Sequence, residues 1–245
     1  PGKEDAKNYM LGVCSAEALS PHMKEWGNDL YEEKENHQRF LSLKRLEPSK
    51  YRRGLVLQAL RKMAGYFAHY PVYEEEAFSG RPEDLLCDPR QIGGILDLFA
   101  EEHIPVFYQT EAVSGMGESL NKKKKALYLE RCAKALAEHA AAQDPERWEE
   151  GMKRTVQEGS APACCLGLGI LAHQGGRYRD LFLSCAGNSA KQVRTKLFEI
   201  CREYPEWKPQ VLTLLTSKKV KEREFAVLLL EEWGDSSCLE AVQEA

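Results

Sequence analysis

"KEREFAVLLLEEWGD", residues 221–235, gathers its apolar side chains on one side of a helix and stops at Gly234-Asp235. Shifting the chain against itself decides whether this helix is isolated or one unit of an array. At a shift of 29 residues, "SAPACCLGLGILAHQGGRYRDLFLSCAGN" (160–188), "SAKQVRTKLFEICREYPEWKPQVLTLLTS" (189–217) and "KKVKEREFAVLLLEEWGDSSCLEAVQEA" (218–245) align without a gap. Leu168, Leu197 and Ala226 share one column, Leu171, Ile200 and Leu229 the next, and Ala172, Cys201 and Leu230 a third. Tyr178 then meets Trp207, Phe182 meets Val211, and Leu183 meets Leu212. These coincidences predict a unit of two short helices and two turns. Such a unit is too small to bury its own apolar faces, so neighbours stack around a continuous core.

On these residues the C-terminal region, 160–245, resembles the short HEAT-like repeats first noted in phycobilisome lyases. Their units run Val-Arg-x-x-Ala, an apolar helix, Gly-Asp and a second helix. The matches are Arg223, Ala226 and Gly234-Asp235 in one unit, and Val193-Arg194 with Leu197 in the preceding one. The chain departs from the pattern where Glu222 replaces the valine, Tyr204-Pro205-Glu206 the Gly-Asp turn, and Cys165 the arginine. The resemblance implies an all-α, right-handed α-α superhelix, a HEAT/armadillo-like solenoid. It further implies that Arg194 and Arg223 interact with the turn of an adjacent unit. A concave side presenting Lys191, Arg194, Lys221 and Arg223 to a partner follows from the same register.

Upstream, helix starts are announced by a capping residue before proline at Ser20-Pro21, Asp88-Pro89 and Asp144-Pro145. Helical apolar spacing follows each of them. Residues 50–69 and 121–142 add further helices, and no alternating strand pattern competes over a comparable length. A short extended piece is expected at 104–108, and loops at 70–81 and 111–119. Residues 1–142 read as a helical region, either degenerate repeats or an N-terminal cap, and 143–245 as the repeat region.

The 245 residues are 43% apolar and 29% charged, a folded and well-solvated profile. A formal net charge of −4 offers no global attraction to a phosphate backbone, which argues against nucleic acid as a partner. With no run of 18 apolar residues and no signal segment, neither membrane spanning nor secretion is expected, and the cytoplasm is the expected location. Eight cysteines (14, 87, 132, 164, 165, 185, 201, 238) include no CxxC, so they read as small core hydrophobes in a reducing compartment.

Several motifs suggest chemistry and lack what that chemistry needs. "GLGILA" (167–172) has the form of a dinucleotide fingerprint but lies inside a helix, where its glycines read as close-packing positions. "SGMGESLNKKKK" (114–125) lacks P-loop spacing, and four consecutive lysines spread around a helix rather than forming a stripe. The six histidines form no HExxH, and Glu33 with His37 reads as a surface pair. "YPVYEEEAF" (70–78) reads as an exposed acidic loop. No catalytic residue, cofactor or metal is expected.

The leading expectation is a noncatalytic helical-repeat scaffold that binds a protein partner and is a fragment of a larger protein. The alternative is a HEAT-like nucleic-acid-binding enzyme of the alkylpurine DNA glycosylase type, for which Trp207, Trp233 and Arg194 are available. Bilin attachment, known in lyases that carry these repeats, is a further enzymatic reading. A third reading is an arm of a multidomain protein. Leu239 and Val242 present an apolar face with no polar cap after them, which motivates the third reading and points to oligomerisation through that end.

Overall fold

The structure, a computed structural model, describes residues 8–9, 11–15, 42–43, 45–63, 89–117, 120–140 and 144–234. Ser20-Pro21, Asp88, the 70–81 loop, the Glu33 and His37 pair, and Leu239 with Val242 lie outside them. Every regular element described is helical, and no strand is present among these residues. Two compact units, Pro1–Trp148 and Glu149–Ala245, divide the chain.

The first unit contains α1 (Pro48–Met63), α2 (Pro89–Glu101), α3 (Val106–Met116) and α4 (Lys122–Ala140). Its centre is α3, which touches α1, α2 and α4. Val106, Phe107, Tyr108, Ala112 and Val113 are buried, and so are the polar residues Gln109, Thr110 and Ser114. A helix covered on all sides has no polar face and therefore no helical period to read. For that reason the extended piece expected at 104–108 fails over 106–108 and the loop expected at 111–119 fails over 111–116: the chain is helical from Val106 to Met116. Gly115 and Gly117 suggested a loop, but Gly117 serves close packing. A Cβ there would lie 2.6 Å from Tyr128 Cδ1, so the Tyr128 ring of α4 takes the space. At the start of α4, Asn121 Oδ1 accepts from the Lys124 amide at 3.1 Å, and the lysine run begins a helix as read.

At the head of α5 (Pro145–Glu158) Asp144 caps as the sequence indicates, its Oδ1 accepting from the Glu146 and Arg147 amides at 2.9 and 3.2 Å. In the second unit follow α6 (Ala161–Ala172), a 3-10 turn (Gly175–Tyr178), α7 (Arg179–Ser184) and α8 (Lys191–Cys201). A second 3-10 turn (Pro205–Trp207), α9 (Lys208–Leu214) and α10 (Val220–Glu232) complete the described elements. Helix, 3-10 turn and short helix thus recur at the 29-residue spacing. Buried at equivalent positions are Leu168, Leu197 and Ala226, then Leu171, Ile200 and Leu229, then Tyr178 and Trp207, then Phe182 and Val211. Phe182 carries the core across a repeat boundary, its ring centre 6.4 Å from Tyr178 and 6.1 Å from Trp207.

Two hydrogen bonds set the direction of this packing. Tyr204, just past α8, donates its hydroxyl to the carbonyl of Ala172 at the end of α6 (3.4 Å). Trp233, just past α10, donates Nε1–H to the carbonyl of Arg202 at the end of α8 (3.0 Å). Each bond satisfies a carbonyl that a helix C-terminus leaves without an intrahelical partner. Because α6 packs on α8 and α8 on α10, with C-terminal ends joined in this way, the three run parallel.

Candidate functional site

Neither α8 nor α10 has a side-chain cap at its N-terminus, where Ala190 and Lys219 stand. An arginine early in each helix instead folds back onto the loop before it. Arg194 Nη1 donates to the carbonyls of Asn188 and Ser189, and Arg223 Nη1 donates to the carbonyl of Ser217 at 2.7 Å. Asn188 and Ser217 are equivalent at the 29-residue shift, so the same bond is made twice. Both arginines are half-buried and spend their donors on backbone.

The residue before each arginine differs. Val193 is fully buried, whereas Glu222 in its place accepts from Ser217 Oγ and, at 2.9 Å, from Lys219 Nζ. The Ser217 hydrogen bond first, and Lys219 second, hold the Glu222 carboxyl below its ordinary value of 4.5. That carboxylate also lies against Gly187. The loop entering α8 and the first turn of α10 are therefore in contact.

Lys191 and Lys221 are exposed, as are Lys218 and Lys219. At α8 their placement opposes the usual helix electrostatics, whereas the first turn of α10 holds Glu222. The first turn of α8 holds no acid, the last turns of α8 and α10 hold no base, and Glu199, Glu231 and Glu232 sit toward the C-terminal ends. Cations at a helix N-terminus add to the partial positive charge already there, which costs stability by a few tenths of a kcal/mol to about 1 kcal/mol each. The parallel packing puts the N-terminal ends of α8 and α10 side by side, with Lys191, Lys218 and Lys221 exposed there and Lys219 paired with Glu222.

A second feature, in the first unit, has no counterpart among the sequence motifs. A cleft of about 410 Å³ is lined by Tyr9, Gly12, Cys14, Ser15, Arg53, Glu102, His103 and Arg147. Two helix ends meet there. After the turn that includes Tyr9, the Gly12 amide bonds to Tyr9 O (2.9 Å) and the Val13 amide to Asn8 O (2.8 Å), with Gly12 at φ +75°. After α2, the His103 amide bonds to Ala100 O (3.1 Å) and the Ile104 amide to Phe99 O (2.8 Å), with His103 at φ +54°. Both are the paired-bond helix ending that calls for a left-handed residue, usually glycine. At Gly12 a side chain would collide with the Arg53 guanidinium. At His103 the chain accepts a left-handed conformation that costs about 1–2 kcal/mol for a residue with a Cβ.

The remaining motifs carry no assembled chemistry among the described residues. The glycines of "GLGILA" lie within α6, and Gly167 packs against Val156 and Thr155 of α5. Cys14, Cys132, Cys164, Cys165, Cys185 and Cys201 form no disulfides, and burial pushes the thiols of Cys132 and Cys201 up to about 12. Cys164 and Cys185 both direct their thiols at the carbonyl of Val156, at 3.2 and 3.9 Å. No group of three or more His, Cys, Asp or Glu is arranged to hold a metal ion, and no helix is long and apolar enough to cross a membrane, among these residues. Comparison with protein-family models, with curated proteins and with solved structures finds no match to this chain.

Proposed function

We propose that residues 149–245 belong to a HEAT-like right-handed superhelical array acting as a noncatalytic cytoplasmic scaffold, and that its positive edge binds an acidic segment of a protein partner. The observation that carries this reading is the repetition of two bonds at a 29-residue spacing: the arginine to its loop, and the aromatic residue to the previous helix end. Together they support equivalent helices side by side with their N-terminal loops braced. Lys191, Lys218 and Lys221 then offer exposed positive charge beside the braced loops, Lys219 being held by Glu222, and Arg194 and Arg223 contribute by holding those loops. Charge in such a row speeds encounter with an acidic surface and suppresses basic ones.

The test is capture from source lysate by the purified chain, with nuclease treatment, at low and moderate salt, beside a Lys191→Glu/Lys221→Glu variant. The expected result is a nuclease-resistant protein partner that the charge reversal releases. Capture indifferent to the reversal would reject the edge. Recovery of nucleic acid instead would favour the glycosylase-type reading.

A further inference from the structure

Three thiols meet where the first repeat of the second unit closes on itself. Cys164 stands in the first turn of α6, and Cys185 caps the end of α7. Both point at one acceptor, the carbonyl of Val156 in the last turn of α5, with Sγ to O distances of 3.2 and 3.9 Å. Cys185 has a second acceptor in the Leu181 carbonyl at 3.6 Å. The two thiols also bond to each other: the hydrogen bond from Cys164, ahead of the opposing effect of burial, holds the Cys185 thiol below its ordinary value of 9.0. Cys201, the third, is near enough to feel the charge of Cys185, but burial keeps it protonated up to about 12.

Packing does not call for this pair. At the 29-residue shift Cys164 corresponds to Val193 and Cys185 to Leu214, so an aliphatic residue serves each column in the next repeat. Two adjoining thiols, one of them more readily ionised, have a chemistry that valine and leucine lack. Access ranks them, since Cys185 is 6% exposed at a helix end, Cys164 1% and Cys201 0%. We infer that Cys164 and Cys185 are a redox pair, which a hydroperoxide converts to a reversible disulfide with Cys185 reacting first and Cys164 resolving. The Cys185 thiolate attacks one peroxide oxygen, and the O–O bond breaks. The departing oxygen takes up the proton that Cys185 gave and leaves as water or an alcohol, with Cys185 now a sulfenic acid. The Cys164 sulfur then attacks the Cys185 sulfur, the S–O bond breaks, and hydroxide leaves as water with the Cys164 proton. Two thiols have lost two electrons and the peroxide has gained them. A transient disulfide is the kind found where other thiols are kept reduced. It joins the start of α6 to the end of α7 and takes both S–H donors from the Val156 carbonyl. The pair is independent of the scaffold reading.

The experiment reduces the full chain, removes the reductant and adds graded hydrogen peroxide. Remaining thiols are then alkylated in denaturant and the peptides mapped by mass spectrometry. The expected result is a loss of two hydrogens in a Cys164–Cys185 cross-link, formed before Cys132 or Cys201 is modified and reversed by dithiothreitol. Cys185 should react about tenfold or more faster than Cys201. Cys165→Ser should keep the cross-link. In Cys164→Val, which places the next repeat's residue there, Cys185 should halt at the sulfenic acid and be captured by dimedone. The map of the parent chain decides the inference even where a variant fails to fold. A cross-link through Cys165 or Cys201 instead would overturn it. So would Cys185 passing to the sulfinic acid with Cys164 untouched, or thiols that resist peroxide until urea unfolds the chain.

Discussion

In the second unit the residue past α8 and the residue past α10 each give a donor to the preceding repeat helix, and an arginine at the head of each helix closes on its loop. In the first unit polar groups are settled one at a time. The Gln109 amide reaches back to the carbonyl of Ile104 (2.7 Å), and Thr110 and Ser114 turn onto their own helix. Tyr9 Oη, Arg131 Nη1, His139 Nδ1 and Trp148 Nε1 stay buried without a partner, and no such atom occurs among the described residues of the second unit. Repetition accounts for part of the contrast: the arginine bond and the aromatic bond are each made twice, at positions related by the 29-residue shift. A unit built around one helix enclosed on all sides must satisfy each group separately. An atom left over costs about 1–3 kcal/mol.

The sharpest test of the repeat side is Phe182→Ala. It empties the aromatic contact between Tyr178 and Trp207 and should cost about 3–5 kcal/mol in urea unfolding. A double-mutant cycle with Trp207→Ala should show coupling of about 0.5–3 kcal/mol, and strict additivity would break the picture of neighbour-dependent repeats. On the other side, Gly117→Ala drives a methyl into the buried Tyr128 ring and should cost about 1–3 kcal/mol. A neutral result there would mean that the core around α3 yields more readily than its enclosure suggests.

Arg223→Met and Arg194→Met keep the aliphatic stem and lose the bond to the loop. Each should cost about 1–2 kcal/mol, by equal amounts if the two repeats use the bond alike. The smallest effect concerns Glu222, where the copied pattern is broken. Its folded-state pKa is lowered by Ser217 and then Lys219, so its stabilisation is present above its ordinary value of 4.5. That stabilisation fades as the pH falls through the lowered value. Comparing the urea midpoint of Glu222→Gln with that of the parent between pH 6 and 3 should show a difference that shrinks on acidification. A difference independent of pH would assign the effect to packing against Gly187 instead.

Legibility in the sequence followed the same divide. The columns Leu168/Leu197/Ala226 and Leu171/Ile200/Leu229 could be read because they recur at one fixed 29-residue shift, a signal that survives even in α6, where no residue is fully exposed. Asp144 was readable as a cap because its bonds reach only two and three residues along the chain. The helix from Val106 to Met116 was misread because enclosure erases the period on which such reading depends. Lys191, Arg194, Lys221 and Arg223 were singled out together, yet the structure divides them: both arginines are turned onto loop carbonyls while both lysines face solvent. The cleft left no trace, since Tyr9, Arg53, His103 and Arg147 are far apart in sequence and none stands in a motif.

By itself, then, the sequence determined what local spacing can encode: helices throughout, a 29-residue recurrence near the C-terminus, and the apolar columns that the second unit buries. Tertiary structure alone decided which polar atoms meet and which are left alone, including the carbonyl that accepts each repeat bond and the unpartnered Tyr9 hydroxyl. Apolar burial is non-directional and reads as a pattern along one chain. A hydrogen bond requires two groups at a fixed distance and angle, and the bonds that join neighbouring repeats here link residues 32 and 31 positions apart.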